Sequence, residues 1–244
     1  MRFFAGSTAL LLSTVCGQLT GQTSYVAKTI HTFQGAEGKA PSALIRNADG
    51  SFTGLTGSGA LGNGSVFRIT AAGSVAILHN LAAADGAGPF VLTGAPDGAI
   101  YGAAYKGGGG ACPNGCGTIF RIAAGGAFSV VYAFTGGSDG ANPGALFVGG
   151  DGALYGAARY GGSSGNGTIF RLALSGGAPT VLYTFCATVN CADGWAPGSL
   201  IPGQDGNLYG TLLGTSKIFR LTPGGTYSVV KQFIYDNGSS PDNL

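Results

Sequence analysis

Residues 165–177 read GNGTIFRLALSGG. The core of this stretch, GTIFR at Gly167–Arg171, stands again at Gly117–Arg121. Gly64–Arg68 reads GSVFR, and Ser216–Arg220 reads SKIFR. Alternating β-branched and aromatic residues bounded by glycine read as a short strand. One strand written four times implies a larger unit that is itself repeated.

The rest of the unit appears when the copies are set in register. A residue closing one strand recurs as Phe33, Leu81, Phe134, Phe185 and Phe233, and the next proline as Pro41, Pro89, Pro143, Pro197 and Pro241. An Asp-Gly turn recurs at Asp49, Asp97, Asp151 and Asp205, in steps of 48, 54 and 54 residues (97−49, 151−97, 205−151). Tyr-Gly follows at Tyr101, Tyr155 and Tyr209, with Phe52 read as the degenerate first copy. A period near 50 marks a solenoid, a propeller or an array.

Each unit holds four apolar runs, which in the third copy are GALFVG, ALYGAA, TIFRLA and TVLYTF. Their short linkers predict an antiparallel meander, here labelled strands A to D. Four such strands per repeat make one propeller blade. The expected fold class is all-β, a β-propeller of four to five blades or an arc of a larger ring. Four full repeats are preceded by a lone D strand at Tyr25–Phe33 and followed by SSPDNL, the start of another A strand. The simplest expectation is a longer ring whose first D strand completes a blade lying beyond Leu244.

These features resemble the GloVer tandem-repeat family, also described as choice-of-anchor tandem repeat proteins. The carriers are YAFTGGSDGANPGAL, DGALYGAARYGG and GNGTIFRLALSGG, and the resemblance covers about residues 29–244. It implies an exported bacterial repeat protein, propeller-like, with no assigned activity. Family members often carry a C-terminal surface anchor, which this sequence does not show.

Composition narrows the function. Charged residues make up 9%, against about 25% in an average domain. Glycine accounts for 48 of 244 residues, yet 45% of the chain is hydrophobic, enough apolar surface to fold. A net charge of +2 without a basic run gives no footprint for nucleic acid. Arg2 followed by the apolar run Phe3–Val15 reads as a signal peptide over residues 1–24, cut between 17 and 24. Residues 25–244 then form the repeat domain, secreted or at the cell surface, with no membrane span after signal removal.

The acids follow the repeat. Asp49, Asp97, Asp151 and Asp205 head the A–B turn, and Glu37, Asp85, Asp139 and Asp193 share one place in the D–A loop. His31 and His79 share a strand position with Tyr132, Tyr183 and Lys231. No carboxylate pair escapes the pattern, so no catalytic, metal or cofactor-binding residue is assigned. GSGALG at Gly57–Gly62 and GGSSG at Gly161–Gly165 match phosphate-loop and nucleophile-elbow patterns but lack the helix both need. Cys16 leaves with the signal peptide. The local pairs Cys112–Cys116 and Cys186–Cys191 are expected disulfides in an exported chain, with cross-pairing as the rival.

In a meander, A–B and C–D turns share one end and B–C and D–A loops the other. The second set is long and varied, and carries Tyr105, Lys106, Arg159, Tyr160 and the single tryptophan, Trp195. Variable loops on a rigid frame are a usual binding surface. The expected function is a non-enzymatic binding or interaction module, with a carbohydrate or another cell-surface protein as partner. The alternatives are a propeller hydrolase or lyase using Asp139 and Asp193, and a structural surface array.

Overall fold

The computed structural model describes residues 27–233. Sixteen strands form four antiparallel meanders of four. The first blade is β1 (Lys39–Arg46), β2 (Phe52–Ser58), β3 (Ser65–Ile69) and β4 (Val75–Asn80). The second is β5 (Ala87–Gly94), β6 (Ile100–Lys106), β7 (Thr118–Ile122) and β8 (Phe128–Ala133). The third is β9 (Ala141–Val148), β10 (Ala153–Tyr160), β11 (Thr168–Ala173) and β12 (Thr180–Thr184). The fourth is β13 (Pro197–Pro202), β14 (Leu208–Leu212), β15 (Lys217–Leu221) and β16 (Tyr227–Gln232). The expected all-β blade architecture is therefore present. Among the described residues only two short 3₁₀ turns interrupt it, at Gly35–Glu37 and Val189–Cys191.

The same local chemistry closes every A–B turn. The aspartate side chain accepts the backbone N–H two residues on: Ser51 to Asp49 at 2.9 Å, Ala99 to Asp97 at 3.0 Å, Ala153 to Asp151 at 3.2 Å, and Asn207 to Asp205 at 3.1 Å. The glycine after each aspartate takes a positive φ of 73–83°, which costs glycine nothing.

The repeated GTIFR segment is the third strand of each blade, and its phenylalanine is the centre of the packing. Phe67, Phe120, Phe170 and Phe219 are at most 2% exposed. Each lies opposite a glycine of the second strand, in the pairs Gly54–Phe67, Gly102–Phe120, Gly156–Phe170 and Gly210–Phe219. A Cβ on any of these glycines would run into the paired ring. The Tyr-Gly repeat thus makes room for the Phe of the next strand.

The first glycine of GTIFR has a different task. A Cβ at Gly64, Gly117 or Gly167 would stand 2.5 Å from Cδ of Pro89, Pro143 or Pro197 respectively. Each of those prolines lies within the first three residues of the first strand of the following blade, so the recurrent glycine and the recurrent proline are one contact across an interface. Three buried clusters hold the blades together. Leu55, Val66 and Leu81 meet Ile100, Phe120 and Ile122; Ile119 and Phe134 meet Leu154, Phe170 and Leu172; Ile169 and Phe185 meet Leu208, Phe219 and Leu221. First strands of neighbouring blades contact one another, which places them innermost. Each bulges next to its proline, between Pro41 and Leu44, Pro89 and Val91, Pro143 and Ala145, and Pro197 and Leu200.

Two sequence expectations need correction. Thr53, not Phe52, occupies the repeat tyrosine's place: Thr53 pairs with Arg68 as Tyr101 pairs with Arg121 and Tyr155 with Arg171. Phe52 instead pairs with Ile69, in the place of Ile100 and Leu154. The aromatic ring misled the alignment by one residue, and in a strand one residue exchanges the two faces.

The second concerns Tyr25–Phe33. Its described part, residues 27–33, forms no strand. A D strand pairs with the C strand of its own sheet, and no such strand lies beside it among the described residues. The segment still docks on the first blade as a D strand would. Phe33 meets Phe67 at 4.6 Å between ring centroids, as Phe134 meets Phe170 and Phe185 meets Phe219. The signal-peptide reading, Cys16 and SSPDNL fall outside the described residues.

Candidate functional site

The two ends of the blades differ in chemistry. At the A–B end, the arginine of the third strand meets the turn aspartate of its own blade. Arg68–Asp49 spans 4.0 Å, Arg121–Asp97 3.3 Å and Arg171–Asp151 2.8 Å. These exposed pairs contribute little to stability, and they balance the third-strand arginines of the first three blades.

At the opposite end, the D–A acid is a latch. Its carboxylate pairs with the D-strand residue that varies between His and Tyr: His31–Glu37 at 2.9 Å, His79–Asp85 at 2.8 Å, Tyr132–Asp139 at 2.8 Å and Tyr183–Asp193 at 2.9 Å. The same carboxylate accepts a loop N–H, from Gln34, Ala82, Thr135 or Ala187. Asp139 and Asp193 therefore sit in separate loops, each engaged by its own tyrosine.

Asp193 is only 3% exposed. Burial opposes its ionisation, but Thr188, the Ala187 N–H and Tyr183 outweigh it and hold the carboxyl below its ordinary value. Burial and the Asp139 carboxylate push the Tyr132 hydroxyl up to about 12. The signs give a two-sided pH profile. A depressed carboxyl stabilises above its unfolded value of about 3.9, and that stability is lost as pH falls through the folded value. A raised tyrosine stabilises below its unfolded value of about 10, and the contribution disappears as pH climbs towards 12. Urea midpoints measured across pH are expected to be flat between these limits and to fall outside both. In Asp193→Ala the neutral-pH stability should drop by about 2 kcal/mol and the acid limb should shrink.

The disulfides join Cys112 to Cys116 and Cys186 to Cys191, the local pairing rather than the cross-pairing. Both fasten loops at the latch end. The first ties down the B–C loop of the second blade, and the second the D–A loop leading into the fourth.

Between these loops, on the inner side, lies an open cleft of about 860 Å³. Its floor is the bulged first strands of three blades, contributing Gly88 and Phe90, Gly144, and Pro197 to Ser199. Its wall is Tyr105, Arg159 and Leu213. These three occupy one repeat position, three residues after the strand-B glycines Gly102, Gly156 and Gly210. The first blade has Gly57 there. The strand-B glycine, the strand-C phenylalanine and the strand-A proline recur in all four blades, whereas this position holds a phenol, a guanidinium, an isobutyl group and a hydrogen.

Phe90 and Tyr105 meet edge to face at 6.4 Å, and the Asn142 side chain donates to the Tyr105 carbonyl at 2.7 Å. Burial, with Tyr160 nearby, raises the Tyr105 hydroxyl above its ordinary value, and the Arg159 guanidinium partly offsets this. Arg159 lies 5.8 Å from the centre of the Tyr160 ring. It makes no ion pair among the described residues, and its Nε is sealed from solvent with no hydrogen-bond acceptor.

Of the five side chains singled out from sequence, Tyr105 and Arg159 line the cleft and Tyr160 borders it through Arg159. Lys106 and Trp195 do not line it. Trp195 covers the backbone of Gly214 with 40% of its surface exposed, so it closes a loop junction beside the cleft. Sequence reasoning missed Phe90, Ser199 and Leu213. A signal for Phe90 exists: the residue after the repeat proline is Ser42, Phe90, Gly144 and Gly198, and only Phe90 is bulky.

The comparisons with known proteins agree with this architecture. The model of the Gloeobacter/Verrucomicrobia repeat matches residues 15–217. No curated protein matches the chain. Among solved structures, virginiamycin B lyase from Staphylococcus aureus superposes with a TM-score of 0.57 at 23% identity, over 77% of this chain and 54% of that one. A luciferin-regenerating enzyme gives 0.55 at 13%, over 80% and 62%. A gluconolactonase from Xanthomonas campestris gives 0.51 at 15%, over 78% and 61%. The chain thus spans about half the length of the lyase. At these identities the likeness shows the fold alone.

Proposed function

The chain belongs to the Gloeobacter/Verrucomicrobia repeat family, and from that premise we propose that it is an exported binding module whose ligand occupies the inner cleft at the latch end. One observation carries the reading. Tyr105, Arg159 and Leu213 are the same repeat position in three consecutive blades, converge on one cavity, and differ completely in chemistry. Repeat positions that build the frame keep their residue type, so divergence at a converging position marks a recognition surface. Two disulfides support export, as does the apolar run Phe3–Val15 after Arg2. A carbohydrate or a protein of the cell surface is the partner class, since aromatic walls and a few polar groups suit both.

The test is a binding panel of soluble and insoluble polysaccharides and surface-protein extracts, with released reducing ends monitored in parallel. A Phe90→Ala/Tyr105→Ala double variant is expected to lose at least about tenfold in affinity for whatever binds while keeping the wild-type melting temperature. Unchanged binding in that variant would move the site elsewhere.

A further inference from the structure

We propose that the cleft recognises an acidic polysaccharide, with a uronate carboxylate on Arg159 and the sugar ring against Tyr105 and Phe90. The inference rests on the reading of the cleft as the ligand site and adds the ligand's chemistry.

Arg159 differs from the other strand-borne arginines: Arg46 and Arg220 also lack an ion pair but are exposed to water, whereas Arg159 is half-buried. Arg68, Arg121 and Arg171 each have an aspartate of their own blade. Arg68 shares with Arg159 an Nε lacking an acceptor, but it has Asp49 to balance its charge. Arg159 has no carboxylate within ion-pair distance among the described residues. A guanidinium partly removed from water and left unbalanced is an unfavourable arrangement, and an anionic ligand relieves it. The planar fork of arginine matches a carboxylate, which accepts two parallel N–H bonds.

The surroundings define the rest of the ligand. The acids of this end are already committed, Asp139 to Tyr132 and Thr135 and Asp193 to Tyr183 and Thr188, so they do not compete for Arg159. Phe90 and Tyr105 offer an apolar wall, and Gly88 and Gly144 leave the floor low. On the far side the Ser199 hydroxyl, 3.0 Å from that of Thr211, can exchange hydrogen bonds with sugar hydroxyls. The floor extends over the first strands of three blades, which suits an extended chain.

The experiment is calorimetry of the oxidised protein with oligogalacturonate, a neutral oligoglucan of equal length and a sulfated oligosaccharide. The expected result is binding of the uronate in preference to both others, weakened at high salt. Arg159→Gln should lose about tenfold or more of that affinity, and Arg159→Lys should recover part of it. Leu213→Arg, which places a second cation at the equivalent position, should tighten uronate binding, a gain that misfolding cannot mimic. No uronate binding, or equal binding of the sulfated probe, overturns the proposal. Neutral oligoglucan binding that depends on Tyr105 but not on Arg159 overturns it as well, while leaving the binding-module reading intact.

Discussion

Gly167→Ala is expected to lower stability by about 4 kcal/mol, the sum of overpacking and an unfavourable backbone angle. Gly167 has φ of 106°, outside the region that residues with a Cβ adopt readily. Its added Cβ would stand 2.5 Å from Pro197 Cδ and 2.7 Å from the Ala158 carbonyl oxygen. Neither neighbour is a flexible side-chain end, so the third and fourth blades must separate. Gly150→Ala is the control within the same blade: nothing lies within 4 Å of its would-be Cβ, and its change should stay within about 0.5 kcal/mol. Chemical denaturation of the two variants checks the contrast. A Gly167→Ala protein as stable as wild type would refute the glycine–proline account of the blade interface.

The second large effect lies inside a blade. Gly156→Ala should cost about 3 kcal/mol, because its Cβ would run into the buried Phe170 ring and stand 2.7 Å from the Ala145 carbonyl oxygen. Melting temperature should fall by roughly 10 °C for a chain of this size. Phe170→Leu on its own should also destabilise, by leaving a void in the interface cluster of Leu154 and Leu172. In the double variant the smaller side chain admits the new methyl, so the two losses should add to less than their sum. Double-mutant denaturation measures that coupling. Strict additivity would show that the Gly–Phe pair is not the contact that ties the second and third strands together.

Much of this frame is legible in the sequence because its causes are local. The phenylalanine of GTIFR against its strand-B glycine, the Asp-Gly turn and Tyr-Gly are each set by contacts within one blade, and each recurs where the blade recurs. The disulfide pairs are local too, separated by four and five residues. Thr53 is legible from spacing, four residues after Asp49 and directly before Gly54 as each repeat tyrosine stands, but the aromatic ring of Phe52 outweighs it. What else escaped depends on neighbours distant along the chain. Residues 27–33 carry strand-like composition, yet a strand needs a sheet to join, and that partner is absent among the described residues. The cleft is least legible of all. Phe90, Tyr105, Arg159 and Leu213 come from three blades, and only the curvature of the stack brings them together. The varied loops lie at the latch end, where the cleft is, but Lys106 and Trp195, which do not line it, show that loop variation does not say which side chains turn inwards.

The most direct test of the cleft as the recognition site is a crystal structure of the protein with a bound oligosaccharide from the binding panel. The ligand is expected between Phe90, Tyr105, Arg159 and Leu213, on the floor of the bulged first strands, with the blade frame unmoved. Ligand density on Trp195 at the rim, or in a second cleft lined by Phe147, Asp151, Tyr155 and Arg171 of the third blade and Pro202 and Leu208 of the fourth, with the inner cleft empty, would contradict the account.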